Sequence, residues 1–173
     1  ELCLLLRNLK KCGAKVVVLS GGEPVLRKHL EDILDYGTQK LGLKIILVSN
    51  GTLAPKSLLE CLKKNNITVQ LSLDSIDPKI FLESRGVAAL TQVLKNVDIL
   101  LENGIYITLS STVTRINYLH IMEVVKYARE KNIQNVHVGE FIPFGRGKLN
   151  KEIFLSPSQH FQVLKKLYEY QKE

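Results

Sequence analysis

The sequence predicts an α/β fold whose parallel strands form an open, partly closed barrel, rather than a doubly wound sheet or a filled, closed barrel. Three observations carry this. Short β-branched runs alternate with longer segments of helical spacing, polar residues collect at the ends of the runs, and two neighbouring runs have one apolar and one polar face. The 173 residues amount to one domain, 1–173, large enough to bury a core without disulfides or metal as staples.

The elements follow in order. A stripe of Leu2, Leu5, Leu6 and Leu9 opens the chain as a helix and ends at Lys11-Cys12-Gly13, a C-terminal cap pattern. The first strand is Val16 to Leu19, followed by a helical stripe of Leu30, Ile33, Leu34 and Leu41. Ile45 to Val48 is the second strand, with Leu58, Leu59 and Leu62 marking the next helix. Ile67 to Leu73 is the third, followed by Leu90, Val93, Leu94, Val97 and Leu101 and an exit at Glu102-Asn103-Gly104. Ile105 to Thr112 is the fourth, then Ile121, Val124, Val125 and Ala128 with an exit at Lys131-Asn132. Val136 to Ile142 is the fifth, and Ser156 with Pro157 starts the last helix as N-cap and first helical residue. The order is one helix and then strand–helix five times, a parallel α/β arrangement with right-handed crossovers.

Pleat alternation selects among such folds. Ile105, Ile107 and Leu109 point one way, while Tyr106, Thr108, Ser110 and Thr112 point the other. In the third strand Val69, Leu71 and Leu73 oppose Gln70, Ser72 and Asp74. A doubly wound sheet buries both faces under helices, and a closed eight-stranded barrel fills its interior with Val, Ile and Leu. One polar face on adjacent strands fits neither, and fits an open barrel whose interior holds a polar ligand and water.

Composition excludes several classes. Hydrophobic residues at 45% and charged residues at 24% describe a globular chain, not a disordered one. No apolar run reaches the roughly 18 residues needed to cross a bilayer, and no signal-peptide pattern opens the chain, so no membrane partner and a cytoplasmic location are expected. The net charge of +7 raises nucleic acid as a partner. The cations fall as scattered pairs on different helices, such as Lys10-Lys11, Lys63-Lys64 and Lys165-Lys166, which describes solvated outer faces instead. Cys3, Cys12 and Cys61 lie too far apart for a CxxC or CxxxCxxC ligand set, so no metal site is expected in this chain.

The strand ends carry the chemistry: Ser20-Gly21-Gly22-Glu23-Pro24, Ser49-Asn50-Gly51-Thr52, Ser72-Leu73-Asp74-Ser75, Ser111-Thr112-Val113-Thr114, and Glu140 through Pro143-Phe144-Gly145-Arg146-Gly147. Ligands of parallel α/β folds bind at the carboxyl ends of strands, so these five ends define one candidate site. Gly21 and Gly22 permit positive φ or close approach of a ligand, and Glu23, set between them and Pro24, suits a cationic amine. The same residues also read as a plain strand-to-helix turn with a starting proline and an acidic first turn. Asn50-Gly51 reads equally as a simple turn. Ser72 and Asp74 on a polar strand face need partners. Gly145-Arg146-Gly147 reads either as an anion cradle or as a flexible basic loop. Glu140 faces either helices or the rim. His29, His120 and His160 read as helix-surface or helix-end residues, and His137 as a pocket candidate.

Together these motifs resemble the radical S-adenosylmethionine (SAM) superfamily, in its SPASM-like branch. The resemblance rests on Val16 to Leu26 with its Gly21-Gly22-Glu23-Pro24, on Val48 to Leu53, and on Val69 to Ser75 with the Arg85-Gly86 that follows, read as starting the next helix. It continues through Thr112 to Asn117 and Pro143 to Gly147. It implies a partial, open (β/α)6-type TIM-like barrel with its first strand missing. Glu23, with the backbone of Gly21 and Gly22 ahead of Pro24, would bind the methionine amino group of SAM. Ser72 would contact the ribose, Arg85 would meet the carboxylate, and backbone near Phe141 and Ile142 would hold the adenine. Asn50 and Asp74 join the same cofactor-binding set. A 4Fe-4S cluster would pass one electron to the sulfonium, giving a 5′-deoxyadenosyl radical that abstracts hydrogen from a peptide, tetrapyrrole or other substrate. A ferredoxin or flavodoxin would be the electron donor.

The family's CxxxCxxC cluster loop lies ahead of this chain's first helix, so no cluster cysteines and no catalytic residue are expected here. The chain then reads as part of a longer enzyme, inactive without that segment, with Val16 to Leu19 as an open sheet edge. The competing reading is a non-catalytic SAM- or nucleotide-binding barrel acting as a scaffold or partner subunit. An upstream CxxxCxxC separates the two. A third reading, a basic RNA-binding domain, predicts steep salt dependence and lacks an aromatic stacking motif.

Overall fold

A computed structural model describes residues 1–143 and 151–172, so Phe144, Gly145, Arg146 and Gly147 lie outside the described residues. The elements are α1 (Leu2–Lys11), β1 (Val16–Leu19), α2 (Leu30–Asp35), β2 (Lys44–Ser49), α3 (Lys56–Lys64), β3 (Thr68–Ser72), α4 (Pro78–Arg85), α5 (Leu90–Glu102), β4 (Ile107–Val113), α6 (Ile121–Glu130), β5 (Asn135–Glu140) and α7 (Pro157–Gln171). Five parallel strands form one open sheet in the order β1-β2-β3-β4-β5. Neighbours in sequence are neighbours in the sheet, and β1 is an edge. The register pairs Val18 with Ile46 and Val48 with Gln70.

The alternation read from the sequence holds. Val69, Leu71 and Leu73 are buried on β3 and just beyond it, and Ile105, Ile107 and Leu109 are buried on and just before β4. Gln70, Ser72, Thr108 and Ser110 are only half-buried, and Tyr106 and Thr112 are exposed. On β1 the alternation leaves Val16 and Val18 about half exposed, at 49% and 55%. Strands β1 to β4 each bury one face, while on β5 Val136 and Val138 are only half-buried.

Two further expectations need correction. Two helices, not one, connect β3 to β4. The first, α4, has a side-chain cap: the Asp77 carboxylate accepts from Lys79 N at 2.8 Å and Ile80 N at 3.0 Å, with Pro78 as first helical residue. Only Phe81 of α4 is buried, so no apolar stripe announces it. In α1, Leu6 is buried but Leu5 of the expected stripe is 51% exposed.

The chain divides into two compact units, Glu1–Ser72 with Thr91–Thr108, and Leu73–Leu90 with Leu109–Glu173. In the first, α2 runs into a π-helical turn, Tyr36–Lys40. There Gly37 lets the chain pass so close to Ile45 that an added Cβ would sit 2.7 Å from its Cδ1. Buried Asn65 closes α3 by accepting from Thr38 Oγ1 and Gln39 Nε2 and donating to Asp35 and to Cys61 O. In the second unit Val113, Ile121 and Val163 form a core cluster, with Met122, Val138, Leu155 and Leu167 packed on it. Helix α7 starts with a reciprocal cap in which Ser156 Oγ accepts from Gln159 N and Gln159 Oε1 accepts from Ser156 N. The expected exits are left-handed as a cap requires: Gly13 at φ 88°, Gly104 at 70° and Asn132 at 55°.

Candidate functional site

In the first unit the site is built on the ends of β1 and β2. Glu23 stands between β1 and a single 3-10 turn, Pro24–Leu26, and caps that turn by accepting from Val25 N at 3.3 Å. The turn reading of the sequence is thus realised, and the carboxylate does more than cap. Ser49 Oγ donates to Glu23 Oε1 at 2.8 Å, and Asn50 N donates to Glu23 Oε2 at 2.8 Å. Three donors fix a half-buried carboxylate whose oxygens keep lone pairs for a further donor.

The Asn50 side chain is otherwise engaged. Its Oδ1 accepts from Thr52 N and Thr52 Oγ1, which makes an Asx turn. Gly51 follows at φ 74°, and a Cβ there would meet Val93 Cγ1 at 3.1 Å and Leu71 Cδ2 at 3.2 Å. Gly51 O accepts from Asn96 Nδ2 at 2.8 Å, so a buried asparagine of α5 supports the turn. Gly21 and Gly22 do not use positive φ. An added Cβ at either would meet nothing within 4 Å, so the space beside them is open. Pro24 is half-buried, as is Ser72 at the end of β3, and the Ser72 hydroxyl bonds to no other described residue.

In the second unit the ends of β3 and β4 are joined through Asp74. Its Oδ1 accepts from Thr112 N at 2.8 Å, and its backbone oxygen accepts from Asn117 Nδ2 at 2.9 Å. Asn117, fully buried, also donates to Thr112 O and accepts from Thr114 N, while Ser111 Oγ donates to Leu73 O. Arg85 Nε lies 2.7 Å from Asp74 Oδ2, a close ion pair whose N–H is not aimed along a good hydrogen bond. Arg85 ends α4 rather than starting a helix, and Gly86 is its left-handed cap at φ 71°. Burial raises the Asp74 carboxyl above the ordinary range, and the charge of Arg85 and the Thr112 N–H only partly offset it.

The remaining candidates lie on β5 and just beyond it. Phe141 donates its N–H to Val113 O at 3.3 Å and stacks its ring on Phe154 at 5.6 Å, and Ile142 is 77% exposed. Glu140 is exposed and pairs with His160 Nδ1 at 3.3 Å, and His137 is exposed on β5. Sequence reasoning missed Asn96, although an asparagine inside the Val93, Val97 stripe is itself a signal of a buried polar partner. Among the described residues no group of three or more His, Cys, Asp or Glu can hold a metal, and Cys3, Cys12 and Cys61 are free. These residues therefore supply no ligand set for an iron–sulfur cluster. No helix among the described residues is long and apolar enough to cross a membrane.

Residues 4–117, more than half of the chain, match the family model described as the radical SAM superfamily. The chain belongs to the radical SAM superfamily. It is 30% identical over 163 residues to the AdoMet-dependent heme synthase of Methanosarcina barkeri, covering 93% of this chain and 46% of that protein. It is 37% identical over 139 residues to the probable GTP 3′,8-cyclase of Sulfolobus acidocaldarius, covering 79% and 44%. Of solved structures, Streptococcus suis SuiB bound to S-adenosylmethionine superposes with a TM-score of 0.84 at 25% identity, covering 99% of this chain and 40% of SuiB. SuiB has also been solved with its precursor peptide SuiA. These relatives set the chain in the SPASM-like branch of the radical SAM superfamily. The chain spans about half the length of the curated relatives it matches. Radical SAM proteins use SAM and a 4Fe-4S cluster.

Proposed function

We propose that this chain is the SAM-holding core, 1–173, of a radical SAM enzyme acting in the cytoplasm. The observation that carries the reading is the Glu23 carboxylate, held by Ser49 Oγ, Asn50 N and Val25 N beside the open space at Gly21 and Gly22. An anion fixed by short backbone and hydroxyl donors is preorganised, so it receives an ammonium group without first losing conformational freedom. Glu23 and the Gly21-Gly22 backbone bind the amino group of SAM, Ser72 binds its ribose, Arg85 its carboxylate, and backbone at Phe141 and Ile142 its adenine. Asn50 acts through its N–H on Glu23.

A 4Fe-4S cluster, for which the described residues supply no ligand set, would supply the one-electron cleavage of SAM to methionine and a 5′-deoxyadenosyl radical for hydrogen abstraction. The chain's own work is binding, orientation and exclusion of water. The substrate is a peptide, a tetrapyrrole or another substrate, in keeping with the names and bound peptide of the relatives, and a ferredoxin or flavodoxin supplies the electron.

The test uses the full-length protein purified without oxygen. Iron and sulfide are assayed, and 5′-deoxyadenosine is measured after SAM and dithionite are added. Bound cluster with 5′-deoxyadenosine release supports the reading. A protein that binds SAM but carries no cluster is a scaffold, and the catalytic reading fails.

A further inference from the structure

We infer that Asp74 is a positioning residue, not a SAM ligand: it anchors Arg85 so that the free edge of the guanidinium meets the SAM carboxylate. The inference rests on the SAM-binding reading above and deepens it. Both Asp74 oxygens are already committed, Oδ1 to Thr112 N at 2.8 Å and Oδ2 to Arg85 Nε at 2.7 Å. The Asp74 side chain is only 9% exposed, which leaves little of it for a ligand. Its backbone is pinned as well, through Asn117, which bonds Asp74 O and Thr112 O together. The carboxylate is therefore fixed to the ends of two strands.

Arg85 is in the opposite position. It hangs from the last turn of α4, where a cation complements the helix dipole, and its side chain is 27% exposed. Asp74 is its one ion-pair partner among the described residues, and the contact is made at Nε. The two Nη groups make no bond to another described residue. A guanidinium held at Nε keeps a planar pair of N–H donors, which matches a carboxylate in bidentate fashion.

A purely structural ion pair is the alternative, and the geometry argues against it. Arg85 partly offsets the burial that raises the Asp74 carboxyl. Its Nη groups, which a structural pair would engage in a bidentate fork, make no bond to another described residue.

The experiment measures dissociation constants of SAM and of decarboxylated SAM, by calorimetry without oxygen, on the full-length protein. Wild type, Asp74→Asn, Arg85→Ala and the double variant are compared. Asparagine is nearly isosteric: its oxygen still accepts from Thr112 N, while its NH2 meets the guanidinium donor to donor. The wild type is expected to prefer SAM, and each single variant to lower that preference roughly ten-fold, as befits one charge-assisted hydrogen bond. The double variant should lower it no further than Arg85→Ala, because the two residues act as one unit. A structural Asp74 would weaken both ligands equally.

A preference unchanged in Asp74→Asn, or effects that simply add, overturns the inference while the SAM reading stands. A wild type that binds neither ligand overturns the SAM reading itself. Should Asp74→Asn not fold, Arg85→Lys serves in its place. It keeps the charge and loses the fork, and an unchanged preference for SAM there also sinks the inference.

Discussion

The amide N–H of Asn50 lies 2.8 Å from Glu23 Oε2, so the first residue of the turn after the second strand holds the carboxylate that follows the first strand. Ser49 Oγ holds the other oxygen at the same distance. Glu23→Ala removes the anion and leaves these donors without their acceptor. It should weaken SAM binding by roughly ten- to a hundred-fold, the range of a charge-assisted contact. Calorimetric titration of the full-length protein checks this, and an unaltered affinity ends the assignment of Glu23 to the SAM amine.

Ser49 should matter although no role in binding SAM is assigned to it. Its hydroxyl donates to Glu23 Oε1 and accepts from Gly51 N at 3.1 Å, so it couples the carboxylate to the Asn50-Gly51 turn. Ser49→Ala should weaken SAM binding a few-fold, less than Glu23→Ala, and should lower thermal stability by about 1 kcal/mol for the buried bond lost. Ser72→Ala offers a contrast. Its hydroxyl has no partner among the described residues, so its loss should weaken SAM alone and leave the melting temperature unchanged.

The legible parts of this molecule were local. Gly13, Gly104 and Asn132 could be read as helix exits because left-handed caps select their own residue types, and Ser156-Pro157 declared a helix start in the same way. At Gly21-Gly22-Glu23-Pro24 it was the proline that marked the turn, since neither glycine uses positive φ. What Glu23 and Asp74 hold was not visible. Their donors come from the next strand, 27 and 38 residues along the chain, and depend on the parallel register. Helix α4 escaped because its buried face is Phe81 alone, and that omission placed Arg85 at the start of a helix instead of its end.

The Gly51 turn should be sensitive to substitution although no ligand contact is assigned to it. Its φ of 74° is strained for any side chain, and an added Cβ would press on Val93 and Leu71 at 3.1 and 3.2 Å. Gly51→Ala should therefore destabilise the protein by about 1–3 kcal/mol. Asn96→Ala strands the buried Gly51 carbonyl, with a similar cost expected from an unsatisfied acceptor. Denaturant melts of the two variants, read beside wild type, measure both.

The cysteines should separate by reactivity. Cys61 is buried, and desolvation together with the nearby Asp35 pushes its thiol up to about 11. At pH 7.5 it is almost wholly protonated and shielded, while Cys12 is exposed. Brief iodoacetamide treatment under native conditions, followed by peptide mass spectrometry, should show Cys12 alkylated and Cys61 unmodified. Equal labelling would contradict the packing of α3.

Acid should affect the Asp74 region in the opposite sense to an ordinary salt bridge. Burial raises the folded-state pKa of Asp74 above its ordinary value despite Arg85. The folded state then takes up this proton at a higher pH than the unfolded state does. With fewer protons on the unfolded chain, the contribution of Asp74 to stability rises as pH falls through the raised folded pKa towards the unfolded value. Asp74→Asn carries no such proton. The melting temperature of wild type minus that of Asp74→Asn should therefore grow more positive as pH is lowered from 7 to about 4. A difference that shrinks on acidification would mean that Arg85 outweighs burial, and that the pair stabilises the fold in its own right.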